Sequence, residues 1–138
     1  MKSFILLIIA ISLFASNIST KDKIIMMIMD NIYTSEQKVI YFDDKKMAEV
    51  FSKKYEIASS CENSNFIILS KKTELPNKCK EKNIFVLRYD LLYDIPQSFG
   101  AFFFKKGRAN IILLKSKLKK HGIETSKELE PYLEDRVW

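Results

Sequence analysis

Short runs of uninterrupted apolar residues recur along this chain and constrain its fold more than any other feature. Lys38–Phe42, Phe66–Leu69 and Ile84–Leu87 have the length of strands and are rich in β-branched and aromatic residues. Tyr55–Ser59 is a further candidate strand. Because apolar residues occupy successive positions in these runs, both faces of the strands need cover. The pattern predicts a sheet buried between two layers.

Other segments of the chain have apolar residues at helical spacing. Asp22–Tyr33 carries one broad apolar face and is predicted to form an amphipathic helix, although its IIMMIM run also suits a strand. Asp43 and Asp44 follow the first strand and precede three apolar residues at helical spacing, Met47, Val50 and Phe51. This order indicates a strand, a helix N-cap and a helix.

The last third of the chain predicts a β-hairpin and then two helices. Gly100–Lys105 and Ala109–Leu114 are the strands of the hairpin, and Gly107 supplies the positive φ of its turn. Lys115–His121 is the first helix, which Gly122 stops. A second helix begins at the capping-box pair Thr125 and Glu128, although Pro131 falls deep inside it. The predicted fold is a small three-layer α/β domain with a mixed sheet.

The amino-terminal segment indicates export. Phe4–Ala15 is an almost wholly apolar run of twelve residues that follows Lys2, and Ala15-Ser16 offers small residues to a signal peptidase. The run is shorter than the roughly 20 residues that span a membrane. We expect a signal peptide at 1–16, a single α/β domain at 17–138, and a periplasmic or secreted protein. An uncleaved anchor and a buried helix are the alternatives.

Two cysteines occur, Cys61 and Cys79. An even number of cysteines in an oxidising compartment favours a disulfide. Each cysteine lies five residues before a predicted strand, so two parallel neighbouring strands would place both cysteines at one sheet edge. With no Cys-x-x-Cys pair and a single histidine, the sequence predicts neither a metal site nor a cofactor.

The net charge of +6 comes mostly from lysines spread along the chain, which is typical of a solvated surface. Lys105, Lys106 and Arg108 cluster at the tip of the predicted hairpin. They form either a solvated turn or a site for an anion or an acidic partner. Contact with anionic lipid at a membrane surface also fits, whereas no nucleic-acid recognition motif is present.

The remaining candidate residues each have a structural explanation. Asp43-Asp44 follow a strand, where open α/β sheets bind ligands, but they also suit a helix N-cap. His121 suits a helix C-terminus better than a general base, since no nucleophile pairs with it in the sequence. Phe102–Phe104 suits a buried strand or a docking aromatic. No catalytic residue is predicted, and we expect a protein that is not an enzyme.

The carboxyl-terminal third resembles the closing segment of YfiR-like periplasmic proteins. The similarity spans about 23 positions without a gap, and its matching residues are Gly107, Arg108, Leu118, Gly122, Ile123, Ser126 and Leu129. The family places an Asn where this chain has Leu114. The resemblance implies a compact α/β fold related to one lobe of periplasmic binding proteins. It also implies the kind of role that the family has, restraint of a membrane-bound diguanylate cyclase.

Two functions remain open from the sequence. The first is an exported, non-enzymatic binding or regulatory module that docks on the external domain of a membrane protein. The second is a solute-binding protein that holds a small anion near the carboxyl ends of the strands and the basic hairpin. A deep polar pocket would favour the second function, and a flat exposed patch would favour the first.

Overall fold

A computed structural model describes residues 18–137, so the predicted leader at residues 1–16 and Trp138 lie outside the described residues. Four helices and nine strands follow in this order: α1 (Thr20–Asp30), β1 (Ile32–Tyr33), β2 (Val39–Phe42), α2 (Lys45–Phe51), β3 (Glu56–Ile57), β4 (Phe66–Leu69), β5 (Asn83–Val86), α3 (Leu91–Asp94), β6 (Gly100–Lys105), β7 (Arg108–Leu114), α4 (Lys115–Lys120), β8 (Glu124–Thr125) and β9 (Leu133–Glu134). Three 3₁₀ turns cover Cys61–Asn63, Asn77–Cys79 and Lys127–Tyr132.

Seven strands form one mixed sheet in the order β3-β2-β4-β5-β6-β7-β9. The strands from β3 to β6 are parallel, β7 runs antiparallel to β6, and β9 runs parallel to β7. β1 and β8 make a separate antiparallel pair. The predicted α/β class with a mixed sheet is confirmed.

Both faces of the sheet are covered, as the uninterrupted apolar runs predict. Within β4, Phe66 and Ile68 face one core while Ile67 and Leu69 face the other. The first core also takes the apolar faces of α1, α2 and α4. The second core is covered by α3 and by the loops that carry Cys61 and Cys79. This alternation explains why the strands read as continuous apolar sequence.

The first described segment is a helix rather than a strand. Ser19 caps α1, since its side chain accepts a hydrogen bond from the Asp22 N–H at 3.1 Å. Ile25, Ile28 and Met29 lie three and four positions apart and are fully buried. This spacing puts them on one helical face, which is the interpretation that the sequence favoured. The helix ends at Asp30, however, and Ile32–Tyr33, predicted as its last residues, forms β1.

The end of the chain differs from the prediction of a second helix after the hairpin. Lys127–Tyr132 forms a 3₁₀ turn that contains Pro131, and the chain then joins the sheet as β9 beside β7. Pro131 has no N–H to donate and disfavours the α conformation at the preceding residue, so an α-helix does not develop. The expected capping box is also wrong, because Thr125 belongs to β8 and Ser126 precedes the turn.

Candidate functional site

The predicted hairpin is confirmed and forms an arm at one end of the sheet. β6 pairs with β5 only at Gly100 and Ala101, whereas it pairs with β7 along its whole length to Lys105. The two strands therefore run together for four positions past Ala101, roughly 13 Å, with no other described strand beside β6. We call residues 102–111 the β6–β7 arm.

Aromatic side chains alternate along the arm, and their burial falls toward its tip. Phe102 is buried in the core beneath the helices, and Phe103 is buried on the opposite face against Tyr89 at a ring-centroid distance of 5.0 Å. Phe104 is 59% exposed and makes an edge contact with Phe102 at 5.3 Å. The structure thus buries two of the three phenylalanines as strand core and leaves the third in solvent.

The tip of the arm carries the three predicted cations. Lys105, Lys106 and Arg108 are all exposed, and within residues 18–137 none of them lies in an ion pair with a carboxylate. Phe104 lies directly beside them in the sequence. The arm therefore presents an apolar ring on one face and the cross-strand pair Lys105 and Arg108 on the other. These exposed groups can bind an anionic partner.

The turn at the tip involves two residues with positive φ. Gly107 has a φ of 75°, as the sequence predicts, and Lys106 has a φ of 52°. A two-residue hairpin turn with both central residues in this region is type I′, whose twist matches that of the flanking strands. β7 begins at Arg108 rather than at the predicted Ala109, so the turn consists of Lys106 and Gly107.

Both acidic residues at the carboxyl end of β2 accept hydrogen bonds from the chain itself. Asp44 is the N-cap of α2 and accepts hydrogen bonds from the N–H groups of Lys46 and Met47. The Asp43 carboxylate accepts hydrogen bonds from Ser70 and Lys71, the residues after β4. Both acidic residues therefore have structural roles.

His121 ends α4, as predicted for a helix C-terminus. Burial lowers the pKa of its imidazole, and the neighbouring Lys120 and Lys117 lower it further. Its Nε2 atom is buried and has no hydrogen-bond partner among the described residues.

A polar network that sequence analysis missed lies between α1 and the end of α2. The Tyr55 hydroxyl donates to the Asp30 carboxylate, which also pairs with Lys54. Burial alone would raise the pKa of Asp30, but the hydrogen bonds from Lys54 and Tyr55 and the charge of Lys38 hold it below its usual value. Burial and the Asp30 charge raise the pKa of Tyr55. No local pattern links these distant residues.

Cys61 and Cys79 are joined as a disulfide, with their Cα atoms 5.9 Å apart. β4 and β5 are parallel neighbours in which Ile67 lies opposite Ile84, so the loops before them meet at one edge. The predicted parallel pairing and the bridge are confirmed, although β5 begins at Asn83, so the register is shifted by one residue from the one that equal spacing predicts.

Comparisons with known proteins give no assignment: no family model, curated protein or solved structure matches this chain. Among residues 18–137, no helix is long and apolar enough to cross a membrane. The same residues hold no cluster of three or more His, Cys, Asp or Glu side chains that could bind a metal ion.

Proposed function

We propose that this chain is an exported, non-enzymatic binding module that docks through the β6–β7 arm on an anionic surface of a membrane protein's external domain. The observation that carries the proposal is the composition of the arm. Phe104 is mostly exposed and precedes Lys105 in β6. Lys105, Lys106 and Arg108 have no ion-pair partner among the described residues. The cations lie outside the core, and the Phe104 ring touches the core only through its edge contact with Phe102.

The two kinds of side chain suit different parts of an association. Exposed cations accelerate the approach of an acidic partner and set the salt dependence of binding. An aromatic side chain that becomes buried on contact supplies affinity, as aromatic residues commonly do at the centres of interfaces. The two buried phenylalanines fix the strand that presents Phe104, so the ring is held in place before a partner arrives.

Export rests on the apolar segment Phe4–Ala15 and on the disulfide Cys61–Cys79, since disulfides persist in oxidising compartments. We infer a periplasmic or secreted location from both. The resemblance to YfiR-like proteins supports the same class of function, a regulator of a membrane protein. The alternative of a small-anion binding protein has less support, because Asp43 already accepts the hydrogen bonds of the donors at the expected ligand position.

The proposal is tested by binding to membranes of the producing cell before and after protease treatment. Protease removes external protein domains and leaves the lipids, so a protein partner is distinguished from a lipid surface. The test variant replaces Lys105, Lys106 and Arg108 by Ser. A control variant replaces three other exposed lysines by Ser: Lys71, Lys72 and Lys78.

We expect the parent and the control to bind untreated membranes and to lose binding after protease treatment. The arm variant should bind untreated membranes at least about fivefold more weakly at low salt, the value expected for exposed ion pairs. Equal binding by the arm variant would show that the arm is only a solvated turn. Undiminished binding of the parent to treated membranes would identify lipid as the partner instead.

A further inference from the structure

A groove of about 570 Å³ lies at the opposite end of β7 from the arm tip, roughly 20 Å from Arg108 along the strand. α4 forms one side of it, and β8 and β9 form the other. This volume is within the range of small-molecule sites in proteins. The groove shares no residue with the β6–β7 arm.

The floor of the groove is apolar and held in place by the end of α4. Ile123 donates a hydrogen bond from its N–H to the Leu118 carbonyl, and Gly122 donates to Lys119, which together form a Schellman motif. Leu118 and Ile123 are each 5% exposed, and the half-buried Leu133 of β9 forms the opposite wall. The site of a Cβ atom on Gly122 has no atom within 4 Å, so the space above the turn is open.

The rim of the groove carries two lysines. Lys115 and Lys119 are four residues apart on α4, which places their Cβ atoms about 5–6 Å from each other on one helix face. Lys115 lies 3.5 Å from Asp135, a carboxylate whose side chain is 87% exposed. Lys119 has no ion-pair partner within the described part of the chain. Glu124 also lines the groove, so the carboxylates near the two lysines are Glu124 and Asp135.

We propose that this groove binds a carboxylate that carries a single hydrocarbon chain. The apolar floor suits the hydrocarbon, since burial of each methylene group is favourable. The rim suits the head group, because the Lys119 ammonium has no carboxylate partner within the described part of the chain and can pair with one negative charge. Lys119 is the residue that we expect to contact the carboxylate, since it has no competing ion pair.

Calorimetric titration of the purified protein with sodium decanoate tests the proposal. The test variant is Lys119→Glu, and the matched control is Lys120→Glu, which makes the same charge change one residue away and outside the groove. Both lysines are exposed, so both variants should keep the melting temperature of the parent. Lys115→Glu repeats the test from the other rim lysine.

We expect decanoate to bind at one saturable site of the parent. Lys119→Glu should weaken binding about fivefold or more, and Lys120→Glu should change it less than about twofold. Hexanoate should bind about tenfold more weakly than decanoate if its four fewer methylene groups are partly buried. The proposal is overturned if decanoate gives no saturable binding or if hexanoate binds as tightly. Equal loss in both lysine variants would overturn it too, since the effect would then be that of net charge.

Discussion

The Asp43 carboxylate accepts hydrogen bonds from the main-chain N–H and the hydroxyl of Ser70 and from the Lys71 N–H, at 2.8 to 3.1 Å. These contacts join the carboxyl ends of β2 and β4. The chain passes from β2 to β3 on one side, while β4 lies on the other side of β2. Open α/β sheets bind ligands at such a reversal of strand order. Here the chain's own carboxylate accepts the hydrogen bonds that a bound anion would otherwise accept.

Replacing Asp43 by Ala should therefore destabilise the fold and open an anion site. We expect a loss of about 1.5–3 kcal/mol in the free energy of unfolding, because hydrogen bonds to a charged group are lost. Asp44→Ala, which removes only the cap of α2, should cost about 1 kcal/mol. Urea unfolding measures both. Phosphate should stabilise the Asp43 variant and leave the parent unchanged; phosphate stabilising the parent would instead favour the small-anion function.

The turn at the arm tip predicts opposite effects for two neighbouring substitutions. Lys106→Asn should raise the free energy of unfolding by about 0.5–1 kcal/mol, since Asn tolerates the positive φ better than Lys. Gly107→Val should lower it by at least about 1–2 kcal/mol, because a β-branched residue is strained at a φ of 75°. Thermal and urea unfolding compare the two variants. A stabilising Gly107→Val variant would show that the turn has another conformation.

The disulfide should supply a large part of the stability of this domain. The bond closes a loop of 18 residues, which corresponds to about 3 kcal/mol in the chain-entropy model. Unfolding in urea should therefore move to lower concentration when the protein is reduced, and the double variant Cys61→Ser, Cys79→Ser should match the reduced parent. Thiol labelling of the native, unreduced protein checks the bond directly. Two reactive thiols would contradict it.

The strands and the disulfide could be predicted because their signals are local. FIIL forms β4 with the bounds that the apolar run gives, since a chain segment buried on both faces needs apolar side chains at every position. Cys61 and Cys79 each precede such a run, so the parallel pairing of β4 with β5 brings the segments that carry them to one edge of the sheet. The hairpin and the cap at Asp44 follow from equally short patterns.

The polar contacts could not be predicted because they join residues that are distant in sequence. Asp43 and Ser70 are 27 residues apart, and Asp30 and Tyr55 are 25 apart. Either carboxylate alone resembles an ordinary surface residue. The groove beside α4 could not be predicted either. One of its walls is Leu133, which lies in β9, whereas the sequence predicts a helix there.

Tyr55→Phe should weaken the link between α1 and α2. The variant removes the hydroxyl that donates to Asp30, so we expect the free energy of unfolding to fall by about 1–2 kcal/mol at neutral pH. The pKa of Asp30 is lower in the folded chain than its ordinary value of 3.8, so the ionised carboxylate stabilises the fold fully above pH 3.8. This stabilisation is lost as the pH falls below 3.8 and through the pKa of the folded state. The difference between parent and variant should thus shrink in acid. Tyr33→Phe, at an exposed position, is the control and should change stability by less than about 0.5 kcal/mol.

His121 should make the fold sensitive to mild acid. Burial and the charges of Lys120 and Lys117 lower the pKa of its imidazole below the ordinary value of 6.5, although Glu81 and a hydrogen bond to the Gln97 main chain oppose the shift. The unfolded chain therefore binds a proton at a pH where the folded chain does not. The free energy of unfolding is therefore highest above pH 6.5. It falls as the pH drops below 6.5 and through the pKa that His121 has in the folded chain.

Urea unfolding of the parent between about pH 7 and pH 5.5 should show this fall, above the range in which most carboxylates titrate. His121→Gln should remove the slope, since the side chain no longer titrates. Lys120→Gln should reduce it, because the loss of that charge brings the folded pKa nearer to the unfolded one. A parent whose unfolding midpoint stays constant over this range would show that His121 is as readily protonated in the fold as in the unfolded chain.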